Sequence, residues 1–146
     1  MPTDNPKTPP GITPMPAEER HDETLERGLE MRRAVLGSEH VDRSLAQVSE
    51  FSRPIQELVT EYCWGAIWPR EGIERKTRSL LNLAMLTALN RPHELGVHVR
   101  GALTNGATVA EIQETLLQTA IYVGVPAALE SFRIADGILK EAADNA

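Results

Sequence analysis

From Pro92 to Asn105 apolar and polar positions recur with a helical period. At about 100° per residue, Leu95, Val99, Ala102 and Leu103 fall on one apolar stripe, and Arg91, Glu94, His98 and Asn105 line its edge. Pro92 suits a first helical turn, where its missing N–H removes nothing, and Gly106 suits the left-handed position just past the end. Glu94 and His98 are therefore neighbours one turn apart, at the boundary between a core and a cleft. His93 and Arg100 fall on the opposite side, which makes them poor partners for the same site.

The same reading extends along the chain. Leu25, Leu29, Met31 and Val35 predict an amphipathic helix over 22–36, stopped by Gly37, and 38–48 predicts a short second one. Over 54–68, Val59, Cys63 and Ile67 form one ridge, with Glu57, Glu61, Trp64 and Trp68 on another. Residues 69–72 break that helix. The next, over 74–89, is apolar all round except for a stripe of Arg75, Arg78 and Asn82, which predicts a central, buried helix. Thr108 and Glu111 form a capping box, and Val109, Ile112, Leu116, Ala120 and Val123 continue as a core stripe up to Gly124. Pro126 opens a last helix with Ala128, Phe132, Ala135 and Leu139 facing in. With no strand-like alternation, the fold class is all-α: a single-domain bundle of about six to seven helices over 18–146. Residues 1–17 hold most of the ten prolines and few large apolar side chains, and predict a flexible tail.

Composition narrows the function classes. A net charge of −6 with scattered basic residues argues against a nucleic-acid surface. No apolar run reaches the length of a membrane span and no signal-peptide pattern opens the chain, so the expected location is the cytoplasm. The single cysteine, Cys63, cannot pair internally, which fits a reducing compartment.

Candidate chemistry comes from the faces. Glu61 beside Trp64 and Trp68 would have its pKa raised by desolvation, as a proton donor needs; the plainer role of the tryptophans is core packing. A buried Arg78 requires an anion, either a ligand or Glu61 or Glu94. A metal centre is not expected, because His93 and His98 are five residues apart and lie on different helix faces. Cys63 lies on an apolar ridge and reads as a small core residue.

Three blocks carry a resemblance: EYCWGAIWPREGIERKTRSLLNLAMLTALN, RPHELGVHVRGALTNG and VAEIQETLLQTAIYVGVPAALESFRIADGIL. From about Gln56 to Leu139 the chain resembles the 4-carboxymuconolactone decarboxylases, of the AhpD-like superfamily. The resemblance implies decarboxylation of 4-carboxymuconolactone to 3-oxoadipate enol-lactone, in the protocatechuate branch of aromatic catabolism. It implies no cofactor, because the lactone is its own electron sink, and a homo-oligomeric ring, a trimer or hexamer, for which Tyr62, Tyr122 and Arg100 are candidate anchors. His98, with Glu61 or Glu94, would supply the proton. Arg78, then Arg91, would hold the surviving carboxylate of this lactone dicarboxylate, Asn82 or Trp64 would meet charge on the lactone oxygen, and Trp64 and Trp68 would wall the departing carboxylate. Related thiol peroxidases carry a CxxCxxxH motif whose cysteines would fall on Arg91 and Glu94, so that redox chemistry is not retained. Two alternatives stay open: a peroxidase-like protein using Cys63, and a ligand-binding or assembly protein without catalysis.

Overall fold

The hydrophobic periods become seven α-helices and one π-helical segment in a computed structural model that describes residues 17–146, with side-chain surroundings from residue 20 onward. They are α1 (Ala17–Leu36), α2 (Ser38–Ala46), α3 (Arg53–Leu58) running into the π segment (Val59–Ile67), α4 (Arg75–Ala88), α5 (Pro92–Thr104), α6 (Val109–Tyr122) and α7 (Val125–Asp144). The tail expected over 1–17 lies outside the described residues, except that α1 already begins at Ala17 rather than near Asp22.

Two apolar clusters hold these elements. Leu83, Leu95, Val99, Ile112, Leu116 and Ile138 join α4, α5, α6 and α7. Full burial of a leucine or isoleucine contributes about 1.5–3 kcal/mol, so Leu83, Leu95, Ile112 and Leu116 are the principal contributors. Val35, Trp64 and Trp68 form the second cluster, between α1 and the π segment, with Met31, Leu36, Val59 and Cys63 packed on it. Helix α5 touches α1, α4 and α7 and so binds the two clusters together.

Local signals explain most boundaries. Thr108 Oγ1 accepts from the Glu111 N–H at 3.1 Å and Glu111 Oε2 accepts from the Thr108 N–H at 2.9 Å, completing the capping box at the start of α6. Gly106 has φ 88°, the left-handed conformation expected after α5. Asn90, before α5, takes φ 55° as a non-glycine residue.

Three expectations need correction. The α period places Glu57, Glu61, Trp64 and Trp68 on one ridge, but the Trp68 N–H bonds to Cys63 O at 3.1 Å, five residues back. The wider π turn re-phases the residues beyond α3, leaving Glu57 exposed while Trp64 and Trp68 are buried. Helix α4 is not buried all round: Leu83, Ser79 and Thr87 face in, whereas Leu81 and Met85 are about half exposed. In α6, Ile112, Leu116 and Thr119 are buried, but Val109 and Val123 at its two ends are exposed because neighbouring helices cover only its middle.

Glycine sets the closest helix crossing. A Cβ on Gly28 would lie 2.0 Å from Thr60 O, and one on Gly65 would lie 2.2 Å from Thr24 O, so α1 and the π segment meet backbone to backbone. Arg27 Nε donates to Gly65 O at 3.1 Å across the same crossing.

Candidate active site

His98 emerges from the middle of α5 against Trp64 of the π segment and Trp68 just past its end. Its ring is nearly parallel to Trp64, at 6° and 6.2 Å between centroids, and to Trp68, at 14° and 6.4 Å. The indoles stack on each other at 5.0 Å, and each is 4% exposed. From α4, Asn82 Nδ2 approaches His98 Nδ1 at 3.5 Å. With the amide donating, Nδ1 is the acceptor and the proton of neutral imidazole sits on Nε2. Burial holds the His98 pKa below the ordinary histidine range, and the nearby Glu94 charge pulls it partly back. Without a bound anion, the imidazole is therefore neutral at pH 7.

Beside this ring lies a cavity of about 370 Å³ bounded by α1, α2, the π segment and α5. His98, Glu94, Trp64 and Cys63 line it, as the edge position of the first two anticipates. His93 lines it too, contrary to its expected place on the opposite side, because the cavity extends around α5 toward α2. Arg100 does lie elsewhere, donating to Glu141 Oε2 on α7 at 2.8 Å. Cys63 carries a thiol whose pKa is raised by burial, against the opposing pull of Trp68 and Arg32, and so remains protonated at neutral pH.

Sequence reasoning missed the most unusual residue of this cavity. Arg32, from α1, is only 8% exposed. Its Nη1 donates to Gln56 Oε1 at 3.1 Å and to Thr60 Oγ1 at 3.3 Å, while its Nε is buried without a partner among the described residues. Burial pulls its pKa down, and no carboxylate contributes to holding it up. A signal existed: Arg32 falls on the same face as Leu25, Leu29 and Leu36, where an amphipathic helix should carry an apolar residue. Gln56 and His40 also border the cavity and carried no comparable signal.

Other expected site residues are engaged elsewhere. Glu61 Oε2 meets His21 Nδ1 on α1 at 2.8 Å, and Glu61 does not border the cavity. Arg78 Nη2 donates to Arg70 O at 3.1 Å and its Nε is buried without a partner; among the described residues it pairs with neither Glu61 nor Glu94. Arg91 is exposed at the start of α5 and borders a much smaller cavity of about 20 Å³ beside α7. A separate cavity of about 350 Å³, lined by Leu25, Leu29, Leu45 and Val48, holds no histidine among the described residues.

The cavity brings a buried guanidinium, the Trp64 indole and the His98 imidazole to one space, a set of groups suited to a small organic anion and the transfer of one proton; Trp68 and Asn82 touch His98 from outside its lining. Among the described residues no helix is long and apolar enough to cross a membrane. Compared with known proteins, residues 53–137 match the family described as the carboxymuconolactone decarboxylase family. The chain is 40% identical over 127 residues to a nitrosuccinic acid decarboxylase, npaB, of Metarhizium robertsii, covering 87% of this chain and 89% of the relative. It is 38% identical over 120 residues to a 4-carboxymuconolactone decarboxylase of Acinetobacter baylyi, covering 82% and 90%. A matched segment that wide, with helices α4 to α6 and the π segment inside it, establishes that the chain belongs to the carboxymuconolactone decarboxylase family.

Proposed function

We propose that this protein is a cytoplasmic, cofactor-independent carboxy-lyase that converts 4-carboxymuconolactone to 3-oxoadipate enol-lactone, in the protocatechuate branch of the β-ketoadipate pathway. The observation that carries the reading is His98 held parallel to Trp64 and Trp68 at the wall of the α5 cavity, one turn after Glu94.

The electrons of the bond to the departing carboxylate move through the ring double bond to the lactone carbonyl, CO2 leaves, and a dienolate forms. A proton then joins the ring carbon next to the carbonyl. The substrate dianion plus one proton thus gives a monoanion plus CO2. His98 delivers that proton. Its pKa, depressed by burial in the free enzyme, rises when a dianion binds beside it, since a nearby negative charge favours imidazolium. Glu94 acts in the same direction. Asn82 orients the ring through Nδ1, and the Trp64 indole at the cavity wall deprives the departing carboxylate of water, which favours neutral CO2. We also assign the enzyme to a homo-oligomeric ring, trimer or hexamer, supported by its exposed apolar faces.

A second reading has specific support: the chain's 40% identity to a nitrosuccinic acid decarboxylase. Nitrosuccinate, like the lactone, carries a carboxymethyl group on the carbon that loses CO2, and its nitro group accepts the electrons as a nitronate. Incubation with freshly generated 4-carboxymuconolactone and, separately, with nitrosuccinate, with CO2 capture and loss of lactone absorbance as readouts, decides between them. The expected kcat/KM for the lactone exceeds that for nitrosuccinate by about tenfold or more. A preference for nitrosuccinate would transfer the assignment to the nitro acid, and no turnover of either would leave the decarboxylase reading unsupported.

A further inference from the structure

Both candidate substrates keep a carboxylate after CO2 has left, so a cation is needed inside the cavity; this inference rests on that reading of the site. Of the described residues bordering the cavity, Arg32 is the one guanidinium. It is buried, Nη1 is held by two neutral oxygens, Nε has no partner, and among the described residues no carboxylate lies within ion-pair distance of it. A buried charge without a counter-charge is unfavourable, and two neutral acceptors on one nitrogen offset it only in part. Gln56 and Thr60 fix the orientation of the guanidinium plane without neutralising it, which leaves the fork available to an incoming anion.

We propose that Arg32, positioned by Gln56 and Thr60, is the docking group for the surviving carboxylate of a succinate-type dicarboxylate in the α5 cavity. Arg78 does not have this role: it caps the Arg70 carbonyl and does not border the cavity. Arg32 enters from α1 and His98 from α5, so the anion is held on one wall and the proton is delivered from another.

Succinate is the probe, because it carries the two carboxylates of both candidate substrates without an electron sink and cannot react. Its dissociation constant is measured by calorimetry on the full chain and as competitive inhibition, in wild type, Arg32→Met, Arg32→Lys and, as a surface-charge control, Arg43→Gln. Wild type and Arg43→Gln should bind succinate alike, and Arg32→Met should bind about ten- to a hundredfold more weakly. Ligand-free Arg32→Met should melt no lower than wild type, since an unpaired buried charge has been removed, whereas an arginine with a merely structural role would lower Tm. Should Arg32→Met fail to fold, the Arg32 Nε–H resonance of wild type, assigned by its loss in Arg32→Lys, is expected to shift on succinate addition. Succinate affinity unchanged within twofold in Arg32→Met, an unmoved resonance, or no succinate binding by wild type would overturn the proposal. Succinate binding that depends on Arg32, without turnover of either substrate, would sink the reaction reading and leave this site standing. Turnover with a KM insensitive to Arg32→Met would do the reverse.

Discussion

His98 is a histidine whose surroundings favour its neutral form at rest, and that has consequences for activity and for stability. In the free enzyme the imidazolium is populated only below the ordinary histidine pKa near 6.5, because burial lowers it. If His98 is the acid, kcat/KM falls as pH rises through that depressed value, and the kcat profile turns down at higher pH because the bound dianion restores the pKa. Rate profiles against pH, with kcat and kcat/KM fitted separately, check this. Stability runs the opposite way with pH, from the same burial of the ring. A depressed folded-state pKa means that the unfolded chain takes up more protons below pH 6.5, so unfolding is favoured as pH falls through that range. His98→Gln is expected to flatten the fall of Tm below pH 6.5. Cys63 is expected to be dispensable for turnover: Cys63→Ser should keep activity within about threefold, since a protonated, buried thiol is a poor nucleophile. Loss of turnover in that variant would revive a thiol mechanism.

Among the elements, the π segment decides what faces the cavity, and it depends on the Gly28 and Gly65 crossing with α1. Gly65→Ala would press a methyl into Thr24 O, and Gly28→Ala into Thr60 O; each should cost about 1–3 kcal/mol as overpacking, read from denaturant midpoints. Activity should fall with Gly65→Ala even in the folded fraction, because Trp64 is its neighbour. Thr108→Ala, by contrast, removes half of a capping box far from the cavity and should cost about 1 kcal/mol with turnover unchanged. Helix α5 was legible in the sequence because Pro92, Gly106 and the apolar period all point to one answer, and so was the adjacency of Glu94 and His98. The π segment was not. It carries an extra residue per turn at its close crossing with α1, whereas a period of about 3.6 residues puts Glu61 on the tryptophan face; in the fold Glu61 turns to His21. Arg32 was legible only as an anomaly, a charge on an apolar stripe whose meaning depends on what α2 and the π segment place opposite it.

At the scale of the molecule, the described surface carries much apolar area for a chain of 146 residues. Leu81 and Met85 on α4, Ile121 and Tyr122 at the end of α6, and Leu129 on α7 are all exposed by about half or more. Large apolar side chains exposed in this number are what an association surface would use. Sedimentation equilibrium should give an assembly of three or six chains, and Ile121→Glu with Tyr122→Glu should shift it toward smaller species; a wild-type monomer would contradict the ring. The apolar character of α4, which the sequence pattern alone assigns to a central core, belongs on this account half to the core and half to that assembly.

The role of His98 is tested by the steady-state rate of CO2 release from 4-carboxymuconolactone by wild type and His98→Gln, with circular dichroism showing both folded. The predicted result is robust turnover by wild type and a loss of about 10²–10⁴-fold in kcat for the variant, with KM little changed. Equal rates in the two proteins would contradict the role given to His98, and an inactive wild type would contradict the reaction itself.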